Sequence, residues 1–259
     1  MRKIRTALAA GVTVAVLSFA VSAPRPALAA ESGALPHQQW SFDGLFGTFD
    51  RAALRRGFTV YKNICSACHS MRLLYYRNLA DIGFSDAEVK KIASEVQVTD
   101  GPNDEGEMFE RPGKPSDHFK SPFPNEKAAR AANNGRLPPD FSLLVKSVVG
   151  GPDFVYGILT GFKDAPPGYK LPEGTYYNEV FPGHNIGMPP PLSDGAVDYA
   201  DGTKATLPQE AHDVATFLTW ASEPKLETRK QMGIKVILFL IVLTGLLYVI
   251  KRRVWKDVH

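Results

Sequence analysis

Cys65 and Cys68 stand three positions apart in the order Cys-Ser-Ala-Cys, and His69 follows at once; the 259-residue chain holds no other cysteine. Two thiols at this spacing on one helical turn can each add across a vinyl group of the same porphyrin. The next residue then brings an imidazole nitrogen beneath the ring to bind iron. C-x-x-C-H therefore reads as the attachment site of a single, covalently held haem c. A redox dithiol and half of a zinc site are the rival chemistries. A Cys₄ or Cys₂His₂ zinc site needs partners that this sequence lacks, and a thioredoxin-like pair belongs near a βαβ pattern, which is not evident.

A haem that shuttles electrons without binding small molecules needs a second axial ligand. Met1 sits in an N-terminal export leader, Met71 follows His69 too closely to reach the opposite haem face, and Met232 lies at a membrane boundary. Met108 and Met188 remain, with His118, His184 and His212 as bis-histidine alternatives. Met188 precedes Pro189-Pro190-Pro191 and follows Pro182 and Gly187. A proline run presets an extended backbone, so a thioether held by it loses little further entropy on binding iron. Ligation by Met188 stands against the blander reading of a loop methionine packed as filler. A Met/His pair raises the potential relative to two histidines, because a thioether favours ferrous iron. His184 reads as a surface or loop histidine.

The elements that must position these residues are mostly helical. Asp50 is a good N-cap for a helix leading into the cysteines, with Leu54, Phe58, Tyr61 and Ile64 or Cys65 on one face. Ser85-Asp86-Ala87-Glu88 is a capping box, and Val89, Ile92, Ala93 and Val96 form the stripe behind it. Gly101 to Pro124 is rich in Pro, Gly and acid and reads as a long loop. A short helix is expected over Asn125 to about Asn134. Asp140 can cap another that carries Phe141, Leu144, Val145 and Val148, and Asp153 a third through Leu159. Residues 163–209 read as loops and short extended pieces. Pro208 fits the first turn of a last helix in the head, with Val214, Phe217, Leu218 and Ala221 on one face.

Both chain ends carry their own signals. Arg2, Lys3 and Arg5, an apolar run from Ala7 to Val21, and Ala27-Leu28-Ala29 predict a secretory signal peptide over 1–29, cleaved rather than kept as an anchor. Export fits the motif, since c-type haem is attached outside the bacterial cytoplasm. Gly233 to Ile250 is apolar except for Lys235 and is closed by Lys251-Arg252-Arg253. About 18 residues rising about 1.5 Å each match the hydrocarbon thickness of a bilayer. The expected organisation is a periplasmic haem domain over 30–224, a linker and transmembrane helix over 225–250, and a cytoplasmic tail over 251–259. The fold class is mainly α: a cytochrome c-like haem domain with long loop insertions plus one C-terminal transmembrane helix in membrane lipid. The whole chain is formally +3, yet residues 31–223 hold 18 Lys and Arg against 25 Asp and Glu, a balance of −7. That sign suits steering of a basic partner and disfavours nucleic acid.

Longer stretches resemble the cytochrome c1 family. They are Arg55-Arg56-Gly57-Phe58 leading to CSACHSM (Cys65 to Met71), DGPNDEGEMFERPGKPSD (Asp100 to Asp117), ARAANNGRLPPDFS (Ala129 to Ser142), FPGHNIGMPPPLSDG (Phe181 to Gly195), Ala200-Asp201-Gly202-Thr203 and DVATFLTWASEP (Asp213 to Pro224). The resemblance implies thioethers at Cys65 and Cys68, His69 and Met188 as axial iron ligands, and a segment including Asn133, Arg136 and Pro139 against the haem and its propionates. Arg136 stands where mitochondrial members carry alanine, and Val148 where they carry an arginine near a propionate. Arg136 or Lys146 would then supply the compensating charge. The implied role is the haem subunit of a quinol–cytochrome c oxidoreductase, working with cytochrome b, a Rieske iron–sulfur protein and a soluble basic c-type cytochrome, in a dimeric complex. The subunit alone needs no acid, base or nucleophile. Competing readings are another anchored monohaem carrier feeding a terminal oxidase, and a haem enzyme or gas sensor with an open iron site. The 119 positions between His69 and Met188 argue against the ordinary small carriers.

Overall fold

Residues 34–257 are described by the computed structural model, so the predicted signal peptide lies outside the described residues. Asp50 begins the first helix as its type predicts. Its carboxylate accepts the N–H groups of Ala52 at 2.8 Å and Ala53 at 3.3 Å, two of the donors a helix N-terminus leaves unpaired. Helix α1 spans Arg51–Asn63 and buries Leu54, Phe58 and Tyr61. A tight 3₁₀ turn, Cys65–Ala67, carries the cysteine pair. A 3₁₀ segment over Tyr76–Ile82 and helix α2, Asp86–Ser94, follow. The predicted capping box closes both ways, Ser85 N–H donating to Glu88 at 2.7 Å and Glu88 N–H to Ser85 Oγ at 3.3 Å.

The acidic stretch expected as loop contains one arm of a hairpin. Strand β1, Gln97–Asp100, pairs antiparallel with β2, Phe109–Pro112, in the register Val98 to Arg111. Both strands are largely exposed, so they carry no hydrophobic alternation to read. Charge holds them instead: Arg111 pairs with Asp100 and donates to Asp117 at 2.6 and 2.9 Å.

Helix α3, Glu126–Ala132, is capped by Asn125 and stops before the predicted Asn134. Helix α4, Leu144–Ser147, is one turn long and has no side-chain cap. Helix α5, Pro152–Thr160, has Gly151 rather than Asp153 at its N-cap. The Asp153 carboxylate accepts from the Trp40 indole at 2.8 Å and Gln38 N–H at 3.0 Å, pinning the start of the described chain to α5. Strands β3, Tyr176–Tyr177, and β4, Asn185–Ile186, form a small antiparallel pair.

Helix α6, Leu207–Ser222, is the centre of the head. The predicted face of Val214, Phe217, Leu218 and Ala221 is buried, and so are Thr216, Thr219 and Trp220 beside it. Its closest neighbour is α1, where Gly57 lets the backbones meet: a Cβ there would lie 2.0 Å from the Asp213 carbonyl oxygen. Phe58 and Tyr61 each bring their rings to 5.7 Å from Phe217. Arg56 donates to the Asp213 carboxylate at 2.8 and 3.1 Å.

Pro224 breaks the chain after α6, and helix α7 then runs Leu226–Val254 without interruption. The segment read as a linker is therefore the first turns of the apolar helix. It is bolted to the head: Glu227 accepts the Phe49 N–H at 2.8 Å and Arg51 at 2.7 Å, and Lys230 donates to the carbonyls of Phe42 and Gly47. The most apolar 18-residue window of α7 has a mean hydropathy of 2.5 and none of it is buried. At about 1.5 Å per residue such a helix is long enough to cross a bilayer. The described residues thus form a helix-dominated head with little sheet, followed by one apolar C-terminal helix.

Candidate functional site

The 3₁₀ turn after α1 places Cys65 in the core and Cys68, its C-cap, at the surface, both as free thiols. Cys65 and His69 are only 8% exposed. Burial pushes the Cys65 thiol up to about 12, so it stays an S–H group. His69 N–H closes the turn on the Cys65 carbonyl at 2.9 Å. Among the described residues, no cluster of three or more His, Cys, Asp or Glu forms around the pair or elsewhere.

The His69 ring is fixed by two neighbours from the Pro139–Phe141 segment. Its Nδ1 lies 2.9 Å from the Pro139 carbonyl oxygen, which can only accept, so Nδ1 carries the proton and the lone pair falls on Nε2. Phe141 stacks on the ring at 4.0 Å with a 17° tilt. Burial lowers the imidazole's proton affinity, against the opposing pull of the Pro139 carbonyl. A neutral imidazole with a free Nε2 is the state an iron ligand requires.

Asp140 clamps the turn after His69. It was expected to cap a helix; its carboxylate instead accepts from Ser70 Oγ at 2.7 Å, Arg72 N–H at 3.1 Å, Arg72 Nε at 3.2 Å and Ser142 N–H at 2.9 Å. Burial acts to raise this carboxyl, but the bonds from Ser142, Ser70 and Arg72 outweigh it and hold it below the ordinary range. The Phe141 N–H to Ser70 carbonyl bond at 2.8 Å completes the splice. Four donors on one carboxylate are why a loop, not a helix, forms here.

Arg136 connects this splice to the other predicted ligand. Its stem crosses Gly187 so closely that a Cβ on Gly187 would lie 2.0 Å from Arg136 Cδ. Met188 is the next residue, half-buried against Ile158, Val180 and Ile186. Arg136 and Pro139 are three residues apart, at most about 11 Å of extended chain. One short segment thus touches His69 at one end and the neighbour of Met188 at the other. Asn133 turns its side-chain amide back onto the Ala129 carbonyl at 2.7 Å. Lys146 pairs with Glu223 at 3.1 Å, whereas Arg136 makes no ion pair among the described residues.

The alternative ligands are placed elsewhere. Met71 is fully buried in the core and Met108 is 60% exposed on the acidic hairpin. The His118 ring lies 3.9 Å from Tyr75 at a 32° tilt, and His212 stacks on Trp40 at 4.6 Å. His184 sits at φ +59°, with its ring against Tyr177 and Nδ1 3.0 Å from the Asn178 carbonyl. Asp140 and Gly187 are the contributors that motif reading missed. The proline-flanked FPGHNIGMPPP stretch hints at Gly187, but Asp140's partners on the other loop, Ser70 and Arg72, lie 68 to 70 positions away and leave no local trace.

The family model described as the Cytochrome C1 family matches residues 40–258. The chain belongs to the cytochrome c1 family. It is 45% identical to the cytochrome c1 of Rhodospirillum rubrum over 271 aligned positions, covering 98% of this chain and 97% of that protein. It is 50% identical over 246 positions to the cytochrome b/c1 of Bradyrhizobium diazoefficiens, spanning 86% of this chain but only 36% of that longer protein. The mitochondrial cytochrome b-c1 complex catalytic subunit of Candida albicans is 45% identical over 251 positions, 96% of this chain and 87% of that protein. These groups have the chemistry to hold a haem c: two free thiols three positions apart, a neutral imidazole with Nε2 free, and a thioether next to the glycine that Arg136 crosses.

Proposed function

We propose that this chain is the haem-bearing electron carrier of a cytochrome bc1-type quinol–cytochrome c oxidoreductase. In this reading Cys65 and Cys68 would hold one haem c covalently, and His69 and Met188 would bind its iron. When bound, the haem supplies a one-electron ferric–ferrous couple whose potential the Met/His pair raises. The Pro139 carbonyl keeps the His69 proton on Nδ1, Phe141 holds the ring, and Asp140 fixes the loop that carries both. Arg136 braces the Met188 loop and would supply positive charge to the propionates, and Asn133 and Pro139 would contact the haem. The head would lie in the periplasm, with α7 crossing the membrane once and the tail from Lys251 in the cytoplasm. There it would take an electron from a Rieske iron–sulfur protein and pass it to a soluble basic c-type cytochrome, within a dimeric complex containing cytochrome b.

The observation that carries this reading is the Arg136–Pro139 segment in contact with both ligand-bearing loops. The acidic head supports the choice of acceptor, since opposite charge steers encounter. Two measurements test it. A reduced-minus-oxidised spectrum of the intact protein with carbon monoxide is expected to show no rapid CO binding; rapid binding would mean an open iron site and would remove the carrier role. Affinity purification from native membranes is expected to bring down a cytochrome b and a Rieske protein. Recovery with a terminal oxidase instead would favour a different anchored monohaem carrier.

A further inference from the structure

The loop between Ser41 and Thr48 ends in two apolar side chains left open among the described residues: Leu45 is 56% and Phe46 79% exposed. The loop is braced on every side. Thr48 N–H donates to the Ser41 carbonyl and Asp43 N–H to the Trp40 carbonyl, each at 3.0 Å, and Asp50 N–H donates to Ser41 Oγ at 3.1 Å. Phe42 points inward, 5% exposed, and packs 5.5 Å from Trp40 and 5.1 Å from Phe49. With that ring anchored in the core, Leu45 and Phe46 cannot fold back to cover themselves. Holding two large apolar groups in water costs free energy unless something covers them.

The position of this tip says what covers it. Lys230 of α7 donates to the carbonyls of Phe42 and Gly47, the two residues that bracket the tip. Glu227, one turn earlier on the same face, holds Phe49 and Arg51. The apolar run of α7 begins at Gly233, three residues or about 4.5 Å along the axis from Lys230. The tip is therefore fastened beside α7 at the level where the helix enters the bilayer, where Leu and Phe side chains can bury themselves at the boundary between headgroups and acyl chains. Asp43 and Lys230 at its shoulder suit the polar headgroup layer.

We propose that Leu45 and Phe46 are a second membrane contact of this chain, an apolar tip seated in the lipid interface next to α7. Together with the Glu227 and Lys230 bonds it would stop the head from tilting about a single helix. This inference rests only on α7 crossing the membrane and not on the haem ligands or redox partners.

The test uses the full-length holoprotein, both alone in phosphatidylcholine vesicles and in native membranes with its partners. Each preparation contains a phosphatidylcholine probe with a diazirine near the glycerol end of its acyl chain. Illumination is expected to label the peptide carrying Leu45 and Phe46 in both preparations, with labelling of α7 as the internal standard for membrane insertion. The double variant Leu45→Ser/Phe46→Ser is expected to lose the first label and keep the second. Three outcomes overturn the proposal. Labelling of α7 without the tip in either preparation means the tip stands in water. Tip labelling in vesicles but not in native membranes means that a partner protein covers it. Unchanged labelling of that peptide in the double variant means that the two side chains do not make the contact.

Discussion

The smallest feature with a consequence for the site is the hydrogen atom that serves as the side chain of Gly187. Arg136 occupies the space a methyl group would need there, so the identities at 136 and 187 are coupled through one contact. Gly187→Ala is expected to push the Arg136 stem aside and disturb the loop presenting Met188. Arg136→Ala should tolerate the same methyl, because the obstructing stem is gone. A double-mutant cycle read by denaturant unfolding of the holoprotein should give a favourable coupling of about 1 kcal/mol between the two changes. The same cycle read in the haem spectrum should show the single Gly187→Ala variant more perturbed than the double. Additive effects in both measurements would mean that Arg136 does not brace the loop. Asp140 is the second residue on which much depends. Asp140→Ala would leave the Ser70, Arg72 and Ser142 donors without their common acceptor. The expected loss is about 2 kcal/mol, the cost of stranding partly buried donors, measured as a lower unfolding midpoint.

At the scale of elements, the head turns on the crossing of α1 and α6. A methyl at Gly57 would meet the Asp213 carbonyl oxygen at 2.0 Å and Phe217 Cβ at 2.7 Å. Backbone cannot rotate out of the way as a side chain can, so the helices must separate. Gly57→Ala is expected to cost about 3 kcal/mol, seen as a lower thermal midpoint and a weaker near-ultraviolet signal from Phe217 and Trp220. A variant as stable as the parent would show that the crossing has slack. Helices α1, α2 and α6 were legible because each displays a cap and a face at helical spacing: Asp50, the Ser85–Glu88 box, and Pro208 with Val214, Phe217 and Leu218. The tight turn that joins Cys65 to His69 was legible because the short spacing of the motif needs one. The hairpin of β1 and β2 was not, because its two exposed four-residue strands are joined by Arg111 and its carboxylate partners rather than by buried alternation. The roles of Asp140 and Asp153 were not either. A carboxylate before a hydrophobic run reads as a helix cap, and only the folded chain brings Ser70 or Trp40 to it. The helical start of α7 was masked by Glu227 and Lys230, polar residues that serve as bolts to the Phe42–Arg51 segment.

At the scale of the whole molecule, acidic residues set how stability depends on pH, and they do so with both signs. Arg111 beside Asp117 holds that carboxyl down to about 2, and the Thr203 N–H followed by Arg56 does the same for Asp201. A carboxyl whose folded value is depressed stabilises the fold above its unfolded value near 4 and loses that contribution as pH falls towards 2. The thermal midpoint should therefore drop between about pH 4 and pH 2, and Arg111→Gln should flatten part of that drop. Glu210 has the opposite sign. It is fully buried in the first turn of α6; one carboxylate oxygen accepts from the Val197 N–H at 3.2 Å and the other has no partner among the described residues. Burial raises this carboxyl above its ordinary value, so its charged form costs stability at neutral pH and the cost fades as the group takes up its proton. Glu210→Gln keeps the shape and an acceptor for Val197 while removing the charge. The variant should unfold at a higher temperature than the parent at pH 7, with the gap closing as pH falls to about 4, where the parent's buried carboxyl is already neutral. A variant less stable than the parent at both pH values would mean that the bond to Val197 outweighs the burial of the charge.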